Sequence, residues 1–414
     1  MMDPLAAAAV PLTDPVALFK DRTGADEDRT DADEESVYRI LDADGRPLSE
    51  AAIPDVSEET LIEMYLDLVT TRRFDERAVN RQRRGELSTY PPCAGQEGSA
   101  VGSTYALRAS DYVSFQYREH GAVVARDGLS GYVPYWAGHE SGNASLATEN
   151  VFPLNISIGS HLPHAVGLAW AIDYEGEDHV VACHFGDGAT SEGDFHEALT
   201  FAGVFDVPAI FLCHNNGWAI SLPESRQTAS ATYAMKAEAY GFSGVRVDGM
   251  DPLACYAVVR AAAERARGSD GSDGSGGSNG SDGSDESDGS DALRPSLIEA
   301  VEYRFGAHTT SDDPSRYRDD EAVARWRSID PIDRMETFLR ETGRLDEEGV
   351  EAVATRADER VEEAMEYLAG VESDPADLFD HAYASLPPRV ERQRADFLEG
   401  VWPDGNESTA DRRG

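Results

Sequence analysis

One stretch limits the fold more than any other. His179–Phe185 (HVVACHF) reads as a short buried strand, Gly186-Asp187-Gly188 as a turn, Ser191–Phe205 as a helix, and Pro208–Cys213 (PAIFLC) as a second buried strand. Both strands are mostly apolar runs, so both of their faces need cover. Further on, Asp251 is placed to cap a helix with Pro252 at its first position, running to about Arg267. Ser296–Val301 (SLIEAV) is a third strand. Strands alternating with helices predict an α/β fold: an open, mostly parallel sheet with helices on both faces, plus helical appendages.

The flanks read differently. Residues 1–35 are Ala-, Asp- and Thr-rich without periodicity, which predicts a flexible acidic tail. Residues 57–84 read as one helix with Ser57 as N-cap and Glu58 and Glu59 in the first turn. Leu61, Ile62, Tyr65, Leu68 and Val69 form its apolar face, and Gly85 stops it. Residues 268–291 contain only Ser, Gly, Asp, Asn and Glu, with no apolar group to offset ordering. They read as a disordered surface insertion. The part from about 320 to 400 reads as acidic helix, and 403–414 as a polar tail.

Charge removes whole classes of function. The chain of 414 residues carries 78 Asp and Glu against 36 Lys and Arg, a formal net charge of -42. Such a field repels nucleic acid and anionic membrane surfaces. Only Lys20 and Lys236 are lysines, so the surface reads as adapted to high salt, where screening limits self-repulsion. Cys93, Cys183, Cys213 and Cys255 show no C-x-x-C spacing, so they predict reduced core thiols in a cytoplasmic protein. The N-terminus has neither the basic region of a secretory signal nor the character of a transit peptide. No apolar run is long enough to span a membrane.

The chemistry is concentrated between Gly186-Asp187-Gly188 and Asn215-Asn216, with 26 residues between them. Both ends follow a strand, and open parallel sheets bind ligands beyond the carboxyl ends of their strands. Asp187 and Asn216 therefore fall on one sheet edge. A carboxylate and an amide oxygen suit a hard cation such as Mg²⁺, which keeps few protein ligands and completes its shell with phosphate and water. The glycines let backbone N–H groups approach a phosphate.

This spacing resembles the thiamine diphosphate signature. The surrounding blocks are more specific: PPCAGQEGS (91–99), FQYREHG (115–121), GDGATSEGDFHEA (186–198), HNNGWAIS (214–221), VDGMDPLA (247–254) and YRFGAHTTSDDPSRYR (303–318). Together they resemble the alpha subunit of the thiamine-diphosphate-dependent first component of the 2-oxo acid dehydrogenase complexes, over about residues 57–400. The resemblance implies a thiamine diphosphate-binding domain over 36–400. It implies Asp187 and Asn216 as side-chain ligands of Mg²⁺, and Trp218 as the donor of a backbone carbonyl. It implies Tyr117 and Arg118 as diphosphate binders, Gly186, Gly188 and Ala189 as the turn beside the diphosphate, and Ile158 as the apolar residue near the aminopyrimidine. His308 matches the active-site loop histidine near the diphosphate and thiazolium. Its reference pKa of about 6.5 makes it the best candidate here for moving a proton. His214 stands where some relatives carry Arg. Thr309, Thr310 and Ser311 lie in a loop that is phosphorylated in some relatives. His120, His161 and His164 read as structural.

The implied reaction is oxidative decarboxylation of a 2-oxo acid, with acyl transfer to the lipoyl group of a dihydrolipoyl acyltransferase. Pyruvate is the first expectation. The alternatives are branched-chain 2-oxo acids, an acetoin-cleaving thiamine enzyme, or a non-catalytic cofactor-binding paralogue. No glutamate stands in a matched position to activate the aminopyrimidine, and after the tail and insertion are set aside only one such domain fits. The resemblance therefore implies a separate beta subunit and an alpha2-beta2 heterotetramer.

Overall fold

The computed structural model describes residues 9–10, 18, 36–268, 293–372, 374–380 and 383–400. The proposed insertion beyond Gly268 and the polar tail 403–414 lie outside the described residues. Two compact units are distinguished, 1–366 and 367–414.

The larger unit is built on a seven-stranded sheet whose pairings are all parallel. Its strands are β1 (Ala9–Val10), β2 (Val37–Tyr38), β3 (Tyr112–Ser114), β4 (Val181–Gly186), β5 (Ala209–Asn215), β8 (Ser243–Asp248) and β9 (Ser296–Val301). A two-stranded hairpin, β6 (Trp218–Ala219) and β7 (Leu222–Pro223), stands apart. The sheet order is β1-β2-β8-β9-β5-β4-β3, so the apolar runs read from the sequence occupy its centre. Every residue of β5 and β9 is buried, as cover on both faces requires. Ala182, Ile210, Leu212 and Ile298 join one core cluster; Cys183, Phe185, Phe211 and Leu297 join the other.

Local chemistry explains the covering helices. In α1 (Glu58–Arg83) the Ser57 hydroxyl accepts a bond from the Thr60 N–H at 3.1 Å, and Leu61, Tyr65, Leu68 and Val69 are buried. The segment α2 (Glu97–Tyr105) is buried almost throughout. Two further helices, α3 (Leu162–Glu175) and α4 (Gly193–Phe205), supply Leu162, Ala165, Phe195 and Leu199 to the second cluster. In α5 (Pro252–Ala266) the Asp251 carboxylate accepts from the N–H groups of Leu253 and Ala254, both at 3.1 Å.

Several boundaries differ from the sequence reading. The helix expected from Ser191 begins at Gly193, because Asp187–Ser191 first makes a tight 3-10 turn. The C-terminal part read as acidic helix is divided into Asp320–Arg327, Pro331–Glu341, Glu347–Ala369, Asp377–Asp380 and Pro388–Leu398. Asp319 and Asp330 cap the first two, and Pro331 restarts the chain. Of the tail expected over 1–35, residues 9–10 and 18 are described: Ala9–Val10 pairs with Val37–Tyr38 and Leu18 is buried in the first core cluster, while the rest lies outside the described residues. Within the smaller unit, Arg394 pairs with Asp380 at 2.6 Å, and Phe379 packs on Phe397.

Candidate active site

Register brings the two signature ends together. Gly186 of β4 lies opposite His214 of β5, so Asp187 and Asn216 leave neighbouring strands at the same edge. A cavity of about 260 Å³ opens there. The ten residues expected to hold the cofactor and metal all line it: Tyr117, Arg118, Ile158, Gly186, Asp187, Gly188, Ala189, Asn216, Trp218 and His308. The hairpin β6–β7 sits against the turn, and a Cβ on Gly188 would lie 2.9 Å from that of Ala219. Only glycine leaves room for that approach.

Asp187 is 1% exposed and receives the Gln227 side-chain amide at 2.8 Å. Burial pushes its carboxyl up to about 7, with the Gln227 bond acting in the opposite direction. A buried carboxylate with a neutral amide as its side-chain partner is a group that a cation would stabilise. Asn216 donates from Nδ2 to Gln96 Oε1 at 3.0 Å, and its Oδ1 accepts the Trp218 N–H at 3.1 Å. That pair of bonds fixes the amide orientation and ties Trp218 to the strand end. The Trp218 ring packs on Tyr317, with centroids 5.1 Å apart.

Positive groups gather on another part of the lining. Arg118 donates to the Pro92 carbonyl at 2.5 Å, the His308 carbonyl at 3.0 Å and His308 Nδ1 at 2.9 Å. Arg304, also in the lining, lies 3.5 Å from the same Nδ1 and donates to the Ile220 carbonyl at 2.7 Å. Burial, then Arg118, then Arg304 pull the His308 imidazole down to about 3. Burial and Arg118 likewise lower Arg304, to about 10. An anion placed among these groups would relieve both. The ordinary histidine pKa of about 6.5 therefore does not apply to His308 in this setting. The loop is also tied down: the His308 N–H donates to Asp312 at 2.8 Å, Tyr317 bonds Asp312, and Arg318 holds the carbonyls of Arg304, Phe305 and Gly306.

The residue-by-residue reading missed Gln96, Gln116, Glu119, Glu192, Ile220 and Arg304 in the lining. All six lie inside motif blocks already quoted, but their residue types alone indicate no role. Arg304 Nε and Gln116 Nε2 are buried without a partner among the described residues, an observation available only from structure. His214 does not line the cavity; it pairs with Glu302 at 3.2 Å and meets His184 at 3.0 Å. His120 bonds Tyr132 and the Pro91 carbonyl, both at 3.0 Å. It adjoins Asp75 and Cys93, but both of its ring nitrogens are engaged. That cluster therefore shapes residues 90–93, whose Pro92 carbonyl holds Arg118.

Comparison with known proteins places this geometry. A profile described as "Dehydrogenase E1 component" matches residues 66–272 and 289–375. The chain belongs to that family. It is 42% identical over 359 residues to the 3-methyl-2-oxobutanoate dehydrogenase subunit alpha of Mycobacterium tuberculosis, covering 86% of this chain and 92% of that one. It is 35% identical over 371 residues to the pyruvate dehydrogenase E1 component subunit alpha of Staphylococcus aureus, covering 88% and 93%. The chain is thus an alpha subunit of a 2-oxo acid dehydrogenase E1 component.

Proposed function

We propose that this alpha subunit holds Mg²⁺ and the diphosphate of thiamine diphosphate during oxidative decarboxylation of a 2-oxo acid, the acyl product passing to the lipoyl group of a dihydrolipoyl acyltransferase. The observation that carries the reading is one cavity combining a buried carboxylate, Asp187, with two guanidinium groups, Arg118 and Arg304, that converge on His308 Nδ1.

The donor set fits the group. Asp187, Asn216 and the Trp218 carbonyl would hold the metal. Tyr117, Arg118, Gly188, Ala189 and His308 would hold the diphosphate, with Gly186 shaping the turn and Ile158 meeting the aminopyrimidine. When bound, the cofactor supplies an electron sink for loss of carbon dioxide. The remaining work belongs to the chain. Arg118 orients phosphate oxygens through its planar fork. His308 keeps Nδ1 engaged with Arg118, so Nε2 is the atom left to give or take a proton.

The reading includes a beta subunit supplying the activating carboxylate in an alpha2-beta2 assembly, a cytoplasmic location and a surface suited to high salt. The four free, buried cysteines support a reducing compartment. No helix among the described residues is long and apolar enough to cross a membrane. For the substrate, PPCAGQEGS, FAGVFDVPAIF and VDGMDPLA resemble pyruvate dehydrogenase alpha chains and put pyruvate first, while FQYREHG and GATSEGD resemble branched-chain enzymes. A second reading, a branched 2-oxo acid, is favoured by the higher identity to the subunit named for 3-methyl-2-oxobutanoate. Decarboxylation of both acids by the alpha–beta assembly, with an artificial electron acceptor, separates the two. Activity should require Mg²⁺ and thiamine diphosphate. Turnover of neither acid would overturn the proposal.

A further inference from the structure

The chain has two lysines, and one of them, Lys236, is half-buried beside the turn Asp187–Ser191. Its Nζ donates to the Thr190 hydroxyl at 2.7 Å. It also lies over the rings of Tyr233 and Phe195, 5.0 and 5.8 Å from their centroids. An ammonium can only donate, so the hydroxyl oxygen accepts from it and the hydroxyl proton must point elsewhere. That proton goes to the Asp187 carbonyl, 2.8 Å away. Tyr233 reaches the same residue by a second route. Its hydroxyl donates to Gln227 Oε1 at 3.2 Å, and Gln227 Nε2 donates to Asp187 Oδ2 at 2.8 Å. The Tyr233 bond therefore sets which end of the amide faces the carboxylate. Both residues stand at the start of the 3-10 segment Ala234–Tyr240, which is anchored to the sheet: the Ala234 N–H donates to the buried Glu299 carboxylate of β9 at 3.0 Å.

The carbonyl and the carboxylate of Asp187 are thus oriented from one short segment that does not itself line the cavity. We propose that Lys236 is a positioning residue for Asp187, acting through the Thr190 hydroxyl, with Tyr233 and Gln227 as the matching arm on the carboxylate. This rests on the metal reading above. A neutral side chain at 236 would leave the Thr190 hydroxyl free to rotate and the turn less ordered. Part of the binding energy of the cation would then go into ordering that turn. No group that touches the substrate changes, so the effect falls on metal affinity rather than on turnover at saturation.

The experiment uses the enzyme assembled with its beta subunit. Lys236→Met keeps an unbranched apolar stem and removes the donor. Lys236→Arg keeps a cation able to donate, and Thr190→Val removes the hydroxyl. Melting of each ligand-free assembly is measured first. Binding of Mn²⁺ in the presence of thiamine diphosphate follows by electron paramagnetic resonance, Mn²⁺ standing in for Mg²⁺ at a site of oxygen ligands. Turnover is then followed against Mg²⁺ concentration. Lys236→Met should melt near the parent and bind Mn²⁺ about tenfold more weakly, the scale of one hydrogen bond to a charged group. Its turnover at saturating Mg²⁺ should stay within about twofold of the parent. Lys236→Arg should bind Mn²⁺ more tightly than Lys236→Met. Lys236→Met combined with Thr190→Val should lose no more than Lys236→Met alone, because both act through one hydroxyl. Parent-like Mn²⁺ affinity in Lys236→Met overturns the proposal. So does a loss additive with that of Thr190→Val, or one in which melting and saturated turnover fall together with affinity, which would make Lys236 a packing residue. Failure of the parent to bind Mn²⁺, or normal binding by Asp187→Ala, would instead bring down the metal reading beneath it.

Discussion

Nδ1 of His308 lies 2.9 Å from Nη2 of Arg118. A guanidinium can only donate, so Nδ1 must accept, and the imidazole is neutral with its proton on Nε2. Burial disfavours the imidazolium, and Arg118 and Arg304 add repulsion. The folded-state pKa is therefore below the unfolded value of about 6.5. Below that pH the unfolded chain takes up a proton that the folded chain refuses. Stability from this group is present above pH 6.5 and is lost as pH falls toward about 3. In the ligand-free assembly the ring signals of His308 should not move between pH 8 and 5. Adding inorganic pyrophosphate should raise the midpoint. A midpoint near 6.5 without any anion would mean that the Arg118 contact is not kept in solution.

Substitution at the same residue separates geometry from proton transfer. Gln at 308 can still accept from Arg118 but cannot shuttle a proton. His308→Gln and His308→Ala should each lower turnover by about 10²–10⁴-fold, the span of a positioned acid or base. Cofactor affinity should fall less, and least in Gln. Full lipoyl-acylating turnover in either variant would move the proton-transfer role to the beta subunit.

Asp187 gives the metal prediction. Asp187→Ala should strongly weaken Mg-thiamine diphosphate binding and leave melting of the ligand-free protein unchanged or raised, because a buried, poorly compensated carboxylate is removed. Calorimetry on the assembled enzyme reads both. Unchanged affinity would reduce Asp187 to a turn residue.

Much of this was legible in the sequence, for identifiable reasons. The apolar runs 181–185 and 209–213 have too little polar surface to lie anywhere but in a covered sheet, and β9 spans Ser296–Val301 as read. Ser57 and Asp251 announce their helices because a cap is a local interaction. Non-local geometry was hidden. Nothing in sequence spacing indicates that Arg304 pins Ile220, 84 positions away, or that Arg118 reaches His308 across 190 positions. The same ignorance made an ordinary pKa seem applicable to His308. His214 was ambiguous because its partners, Glu302 and His184, meet it only through strand register.

Asp251 carries more of the fold than its capping role suggests. Besides Leu253 and Ala254, it accepts from the N–H groups of Ile40 and Leu41, at 2.8 and 2.6 Å. Arg334 closes the network through Asp248 at 3.1 Å. Asp251→Ala should remove a cap worth about 1 kcal/mol and strand two buried donors at about 1–3 kcal/mol each. A loss of about 3–7 kcal/mol is expected in denaturant unfolding at high salt, with activity per folded molecule retained. A loss below about 1 kcal/mol would show that water replaces the carboxylate.

Dependence on a beta subunit is the broadest prediction. The cavity rim exposes Ile158 and Ile220, and nearby chain exposes Ile156 and Leu222. On α3 and α4, Trp170 stacks on Phe205 at 4.4 Å and Phe201 stacks on Phe205 at 5.7 Å, all three exposed. Tyr174 and Val204 are exposed beside them in sequence. Apolar groups so uncovered, in a chain of net charge -42, fit a contact completed by another subunit. An obligate contact of that kind buries over about 2,000 Å². The isolated alpha chain should be inactive toward every 2-oxo acid, and adding the beta subunit should restore decarboxylation. Assembly should need high salt, because two acidic surfaces must approach each other. Trp170→Asp should weaken assembly, read by sedimentation, without altering the ligand-free fold. Robust decarboxylation by the alpha chain alone would require the activating carboxylate to lie within these 414 residues, and Glu119 and Glu192, both in the cavity lining, would be the first to test.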